Sequence, residues 1–144
     1  MKELIQRVVE AHGKDRPELS KLQETFNELS EELLQHMNKE ELILFPEIKK
    51  LLNEIPISTS FPFLPMNIQA PMAMMEDEHT HAGDLIKSIR SMTRNYNPPA
   101  SACPTYKITY KRLEEFDQDL MQHIHLENNV LFNKVRSKLT APVL

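Results

Sequence analysis

Apolar side chains recur along most of the chain at alternating spacings of three and four residues. The longest such stretch predicts a helix over residues 17–53. Its inward positions are Leu19, Leu22, Phe26, Leu29, Leu33, His36, Glu40 and Ile43. Side chains three and four positions apart lie on one face of a helix, so these residues form a seam that packs against other helices. Two members of the seam, His36 and Glu40, are polar.

Three further segments show the same periodicity, over residues 1–12, about 72–94 and about 105–137. Their inward positions are Leu4, Ile5, Val8 and His12; then Met75, His79, Ala82, Ile86 and Ile89; then Leu113, Phe116, Leu120, His123, Glu127 and Val130. Proline-rich stretches separate the segments, and residues 54–71, which hold four Pro, predict a crossover loop. Four helices joined in this way predict an all-α fold, an antiparallel four-helix bundle, with residues 1–144 forming one domain.

The first predicted helix is much shorter than the second and the fourth. At 1.5 Å per residue, about twelve residues extend less than about 20 Å, whereas the two long helices extend about 50 Å. Such a short helix cannot cover the whole groove between the others. We therefore expect a bundle that is open at one end, that a partner such as a second copy completes, or that lacks an upstream portion.

Composition and charge narrow the functional classes. The chain has 144 residues with only 2 Gly but 10 Pro, which suits helices with marked breaks. A net charge of −4 gives no basic surface for nucleic acid, and no apolar run approaches the length of a membrane span. Cys103 is the single cysteine and cannot form an internal disulfide, so the cytoplasm is the expected compartment. Its position in a proline-rich loop predicts a spectator.

Two polar pairs interrupt the apolar seams of the second and fourth predicted helices. The segments HMNKEELILF (residues 36–45) and HIHLENNVLF (residues 123–132) share a His-x-x-x-Glu core followed by apolar residues. This spacing is common by chance, but both pairs occupy positions that have apolar seam residues on either side. An ionised Glu on a buried seam is costly unless it is paired or binds a cation. Because positions i and i+4 share a face, each imidazole and carboxylate can reach one point on the bundle axis.

His12 and His79 add one inward imidazole from each of the other two predicted helices. The candidate metal ligands are therefore His12, His36, Glu40, His79, His123 and Glu127. Imidazole and carboxylate without thiolate favour iron, manganese or zinc, and two carboxylates can bridge two ions. Two alternatives stay open: a single inward His such as His12 is more often an ordinary core residue, and the set could form a hydrogen-bond network without metal. Glu32 and Glu78, next to the candidates, are either surface residues or further acids near the metals.

The segments HMNKEELILFP, MEDEHTHAGDLI and LMQHIHLENNVLF resemble the hemerythrin-like domain of the Repair of Iron Centers family. The resemblance extends over nearly the whole chain and includes VVEAHGKDRPEL. It implies that the six candidates bind a non-haem di-iron centre in which Glu40 and Glu127 bridge the metals. It also implies that acids at the positions of Glu32 and Glu78 line a polar route to the site.

The chain departs from that family in two respects. Family members usually carry an amino-terminal segment with a Cys-Cys motif, which this sequence lacks. They also have a fifth His ligand further upstream on the first helix, and the matching position falls before Met1. The expectation is a hemerythrin-like domain with a shortened first helix, whose site has an open position for water or a small ligand.

The function that the resemblance implies is repair of iron–sulfur clusters damaged by nitrosative or oxidative stress. Iron donation, handling of nitric oxide, or both would carry out the repair, and the sequence does not decide whether the chain is an enzyme. The expected cofactor is two iron ions, with manganese or zinc able to occupy the site in vitro. The expected partners are damaged or apo iron–sulfur proteins, nitric oxide or dioxygen, and a second copy of the chain, but neither nucleic acid nor membrane. The alternatives are a hemerythrin-type oxygen carrier or sensor, and a metal-free structural or interaction bundle.

Overall fold

The computed structural model describes residues 1–52 and 67–140, and within them every regular element is helical. The elements are α1 (Lys2–His12), α2 (Glu18–Lys39), the π-helical segment π1 (Glu40–Leu44), α3 (Phe45–Leu51), α4 (Gln69–Met92), α5 (Pro104–Leu126), the π-helical segment π2 (Glu127–Leu131) and α6 (Phe132–Thr140). The prediction of an all-α fold is confirmed, and α1, with 11 residues, is half as long as α2, with 22. Most of the predicted crossover loop, residues 54–66, lies outside the described residues.

The two longest predicted helices each contain a π-helical segment that begins at a glutamate of the seam. In a π-helix the backbone hydrogen bonds span five residues instead of four, so one extra residue enters the turn. Accordingly, the Phe45 N–H donates to the carbonyl of Glu40, and the Phe132 N–H donates to the carbonyl of Glu127. Each π segment therefore moves every later inward position by one residue.

This shift corrects the predicted seam at two positions. Ile43 and Val130 were expected to face the core, but they are 47% and 56% exposed. Leu44 is buried instead, at 1% exposure, and Leu131 is partly buried against the same core. The predictions for Ile43 and Val130 are wrong because a regular heptad has no place for the extra residue of a π turn.

The chain divides into two compact units. The first unit comprises residues 1–33 and 80–122, with α1, the first part of α2, the second part of α4 and most of α5. Its buried apolar residues are Ile5, Val8, Leu19, Leu22, Phe26, Leu29, Ala82, Ile86, Ile89, Ala102, Tyr106, Tyr110, Leu113 and Leu120. The rings of Phe26 and Phe116 meet edge to face, with centroids 5.5 Å apart. The inward positions predicted for α1 and α4 are thus largely confirmed in this unit.

A charged network holds the loop after α4 in the first unit. Asp117, on α5, accepts hydrogen bonds from Arg90 Nε (2.6 Å) and Nη2 (2.5 Å) and from the Tyr96 hydroxyl (2.7 Å). Three successive residues of the loop, Arg94, Asn95 and Tyr96, have φ of 52°, 56° and 61°. This left-handed conformation is unfavourable for residues with a Cβ. The bond between Tyr96 and Asp117 therefore fixes a conformation that the loop sequence alone disfavours.

The second unit comprises residues 34–79 and 123–144, of which the structure describes 34–52, 67–79 and 123–140. It contains the end of α2, π1, α3, the first part of α4, the end of α5, π2 and α6. Its apolar core consists of Leu44, Ile48, Ile68, Met72, Met75, Phe132 and Val135. The short helices α3 and α6, which follow the two π segments, contact each other.

None of the helices in residues 1–52 and 67–140 combines the length and the low polarity needed to cross a lipid bilayer.

Candidate metal centre

Five of the six candidate ligands come together in the second unit. They are His36 at the end of α2, Glu40 at the start of π1, His79 on α4, His123 on α5 and Glu127 at the start of π2. One nitrogen or oxygen from each residue lies within 4.8 Å of the corresponding atom of every other. The seam positions of the two His-x-x-x-Glu pairs and of His79 explain this convergence, because each helix turns its polar seam residues towards the others.

The candidate ligand atoms lie between 2.8 and 3.9 Å from their neighbours in the cluster. The distance from His36 Nε2 to Glu40 Oε1 is 2.8 Å, and that from His79 Nε2 to Glu127 Oε2 is 3.1 Å. The two Nε2 atoms of His36 and His79 are themselves 3.1 Å apart. His123 Nε2 lies 3.4 Å from Glu127 Oε2 and 3.9 Å from Glu40 Oε1. All five atoms thus surround one small volume.

Two of the carboxylate oxygens fit a cation better than any partner in the described residues. Glu40 Oε1 and Glu127 Oε2 are fully buried and have no aligned hydrogen bond in that part of the chain, although imidazole nitrogens lie close to both. A buried carboxylate oxygen without a hydrogen bond costs several kcal/mol unless a positive charge compensates it. With three Nε2 atoms and two carboxylate oxygens, the donor set suits iron, manganese or zinc. The residues present therefore fit a bound metal.

Hydrogen bonds on the outer side of two imidazoles fix their orientation. His36 Nδ1 lies 2.8 Å from Glu78 Oε2, and Glu78 is held in turn by Lys39. His79 Nδ1 lies 2.7 Å from the side-chain oxygen of Asn128. When Nδ1 carries the proton and donates it to these oxygens, Nε2 presents its lone pair to the centre, as metal-binding histidines require.

The ionised forms of His36 and its two neighbouring glutamates stabilise one another. Burial opposes protonation of the imidazole, but the contacts with Glu40 and Glu78 outweigh it and raise the pKa of His36. Burial likewise works against ionisation of Glu40 and Glu78. The neighbouring His36 nevertheless lowers the pKa of Glu40, and Lys39 together with His36 lowers that of Glu78. Both carboxylates are consequently ionised at neutral pH, so that Glu40 brings a negative charge to the centre and Glu78 one to the outer side of His36.

His123 forms the accessible side of the centre. Its side chain is 41% exposed, whereas those of His36, Glu40, His79 and Glu127 are between 3% and 6% exposed. Leu126 and Val130, which follow on the same helical stretch, are exposed as well. A small molecule can therefore approach the centre past His123 without displacing the other four residues.

Comparison with known proteins assigns the family. A family model described as the hemerythrin HHE cation binding domain matches residues 1–135. The chain belongs to this family. The residues that converge in the second unit therefore form the candidate cation site of a hemerythrin HHE domain.

Several curated proteins are similar to this HHE domain. An iron–sulfur cluster repair protein ScdA from Staphylococcus haemolyticus is 32% identical over 130 residues, which are 90% of this chain and 55% of the relative. An iron–sulfur cluster repair protein YtfE from Escherichia coli is 42% identical over 125 residues, covering 86% of this chain and 51% of the relative. The YtfE of Enterobacter sp. is 45% identical over 104 residues, which are 72% of this chain and 42% of the relative. The chain thus spans about half the length of the curated relatives it matches.

His12, the sixth candidate ligand, is not among the five residues that converge. It belongs to the first unit of the HHE domain, where its Nε2 lies 3.3 Å from the Sγ of Cys103. Its ring stacks on Tyr106, with centroids 5.2 Å apart. Cys103 therefore has a specific neighbour, and a metal-binding role for His12 stays a prediction.

The two predicted acidic neighbours have different surroundings. Glu78 contacts His36 as described above, which agrees with a position beside the ligands. Glu32 instead lies in the first unit, where it and Glu28 approach the exposed His81 at 3.2 and 3.7 Å. Whether either acid lines a route to the site of the HHE domain stays a prediction.

Two residues that orient the imidazoles, Lys39 and Asn128, were not predicted from the sequence. Asn128 follows Glu127 within π2, and its contact with His79 depends on how that π turn aims its side chain. Lys39 precedes Glu40 and reaches Glu78 from another helix. No spacing rule identifies such partners, although their positions next to seam glutamates could have marked them as candidates.

Proposed function

We propose that this chain is a non-haem di-iron domain that takes part in the repair of iron–sulfur clusters damaged by nitrosative or oxidative stress. The observation that carries the proposal is the pair of buried oxygens, Glu40 Oε1 and Glu127 Oε2, which have no hydrogen bond within residues 1–52 and 67–140 and lie close to three imidazole nitrogens. The names of the similar repair proteins support the biological role, and membership of the HHE family supports a cation site.

His36, Glu40, His79, His123 and Glu127 would hold the metal, with His12 as a further candidate. When bound, iron supplies redox chemistry towards nitric oxide and is itself the cargo for an apo-cluster protein. Glu78 and Asn128 keep the two inner imidazoles oriented, and Lys39 keeps Glu78 ionised. Repair by iron donation requires reversible release, which the accessible side at His123 favours. Proposed partners are apo or damaged iron–sulfur proteins, and the proposed compartment is the cytoplasm.

Metal analysis of anaerobically purified chain tests the metal centre directly. We expect two iron ions per chain in the wild type and a large loss in Glu127→Gln, whereas Glu41→Gln, an exposed position on π1, should retain both. Manganese and zinc suit the same donors, so reconstitution with each metal compares affinities. A wild-type chain that holds no metal after anaerobic reconstitution would favour the metal-free bundle.

A transfer assay tests the repair role separately. The iron-loaded chain is mixed with an apo-ferredoxin, sulfide and reductant, and cluster formation is followed by its visible absorption. We expect faster cluster formation than with an equal amount of free ferrous iron added together with the Glu127→Gln variant, which should bind little iron itself. Consumption of nitric oxide, followed with an electrode, tests the other route. If the loaded chain performs neither reaction but binds dioxygen reversibly, the oxygen-carrier alternative replaces the repair role.

A further inference from the structure

The first unit contains a cavity of about 170 Å³ that the metal centre does not use. It is lined by Arg16, Glu18, Met92, Thr93, Arg94, Asn97, Pro98, Pro99, Tyr106 and Tyr110. The charged residues of its lining are Arg16, Arg94 and Glu18, which leaves one positive charge in excess. A cavity of this size has room for a small anion together with water, and the net positive charge of its lining favours an anion.

The hydroxyl groups of Tyr106 and Tyr110 together leave one hydrogen-bond donor without an acceptor in the described part of the chain. Both rings are buried, and their hydroxyl oxygens lie 3.3 Å apart. Each hydroxyl carries one hydrogen, and one bond between them uses only one of the two. Within residues 1–52 and 67–140 no other acceptor meets either hydroxyl, so one buried O–H is left over. Burial, followed by the contact with Tyr106, raises the pKa of Tyr110, so that its hydroxyl remains protonated.

Arg16 and Arg94 differ in whether a carboxylate lies near the guanidinium group. Arg16 approaches Glu18 at 3.7 Å, a weak and partly exposed ion pair. Arg94 has no ion pair or side-chain hydrogen bond in the described part of the chain. Its left-handed backbone, with φ of 52°, belongs to the loop that Tyr96 and Asp117 hold in place. Arg94 thus lines the cavity from a fixed backbone, and its exposed guanidinium has no charged partner among residues 1–52 and 67–140.

We propose that this cavity binds a small planar oxyanion with a single negative charge, of the carboxylate, nitrite or nitrate type. A guanidinium presents parallel N–H donors that match the two oxygens of such an anion. The spare tyrosine hydroxyl donates to the same anion, which gives this buried hydrogen an acceptor. One anion also balances the excess charge. The proposed anion site is independent of the metal centre and of the proposed repair function.

The test is a titration of the ¹⁵N-labelled full chain with sodium acetate at constant ionic strength, with sodium chloride as the reference salt. We expect saturable shifts of the arginine Nε–H signals of Arg16 and Arg94 and of the amides in residues 93–97. Parallel titrations with nitrite, nitrate and phosphate show which anions the cavity prefers. Tetrahedral phosphate should bind more weakly than the planar anions.

Variants then show whether the cavity is responsible. Arg94→Gln, at an exposed position, should raise the dissociation constant about tenfold or more, because it removes a charged hydrogen-bonding group. Arg112→Gln, whose arginine pairs with Glu115 on the surface, is the matched control and should bind acetate like the wild type. Tyr106→Phe or Tyr110→Phe should also weaken binding. Absence of saturable shifts below about 100 mM acetate, or equal affinity in Arg94→Gln, overturns the proposal and leaves water as the occupant.

Discussion

Glu40 and Glu127 are the residues on which metal binding depends most directly. Each places at the centre a buried oxygen that has no hydrogen bond in the described part of the chain, so replacing either carboxylate by an amide removes charge where a cation needs it. A ligand present at 100 times its dissociation constant stabilises a protein by about 2.7 kcal/mol, which corresponds to a rise in Tm of about 5–10 °C for a chain of this size. We expect zinc or ferrous iron to raise the Tm of the wild type by this amount and that of Glu40→Gln or Glu127→Gln by much less.

The matched control is Glu41→Gln, next to Glu40 but exposed. It should respond to metal like the wild type when Tm is followed by circular dichroism. If Glu40→Gln and the wild type gain equal stability from metal, the cation binds elsewhere in the protein.

Asp117 makes the stability of the first unit depend on pH. Burial disfavours its ionised form, but the bonds from Arg90 and Tyr96 outweigh burial and lower its pKa. A carboxylate whose folded pKa lies below its unfolded value, about 3.9, contributes its stabilisation above that value and loses it as the pH falls through the folded pKa. We expect Asp117→Asn to lower the free energy of unfolding by about 1–3 kcal/mol at pH 7, nearer the lower figure because Arg90 is partly exposed.

Urea unfolding of the wild type and Asp117→Asn between pH 7 and pH 3 measures this difference. The gap in the free energy of unfolding between the two proteins should narrow below about pH 4. Asp119→Asn, at an exposed position on the same helix, should show no gap. A gap for Asp117→Asn that stays constant down to pH 3 would mean that packing, and not charge, is responsible.

Individual residues differ in how far the sequence reveals their role. A polar residue on an apolar seam is a candidate for a site, because burying a polar group without a partner is costly. His36 and Glu40 were predicted in this way, from their positions alone. Lys39, Asn128 and Asp117 were not, because their partners lie on other helices. Their roles follow from the tertiary packing of the units, which a single sequence does not encode in any local spacing.

The two π segments are the elements that most alter the regular heptad. In π1 the inward position moves from Ile43 to Leu44, which packs with Ile48, Met72 and Phe132 in the second unit. We therefore expect Leu44→Ala to lower the free energy of unfolding by about 2–5 kcal/mol and Ile43→Ala by less than about 0.5 kcal/mol. Chemical denaturation of the two variants provides the comparison, and each is the control for the other. A regular α-helix through this region predicts the opposite order.

The existence of the helices follows from their periodicity, but the π turns do not. The sequence has apolar residues at both alternatives, Ile43 and Leu44 in π1 and Val130 and Leu131 in π2, so hydrophobicity cannot select the register. Each turn begins at a seam glutamate, and π turns are frequent at functional sites. A seam glutamate followed by adjacent apolar residues is therefore the signal that would have indicated a shift.

At the scale of the molecule, the five converging residues all belong to one of the two compact units. His36, Glu40, His79, His123 and Glu127 lie in residues 34–79 and 123–144, whereas His12 lies in the other unit beside Cys103. A cation that binds the five residues should therefore stabilise the second unit selectively, because local stability rises only where binding and local folding are coupled.

Hydrogen exchange followed by mass spectrometry, with and without zinc, measures this selectivity. We expect peptides from residues 34–51 and 123–140 to exchange several-fold more slowly when zinc is bound, and those from residues 104–117 to change much less. Glu127→Gln should abolish the difference. The peptide that covers α1 decides the role of His12: added protection that His12→Ala removes would include His12 among the ligands, while unchanged exchange would leave it as the partner of Cys103. Equal slowing throughout the wild-type chain would show instead that the two units open as one cooperative body.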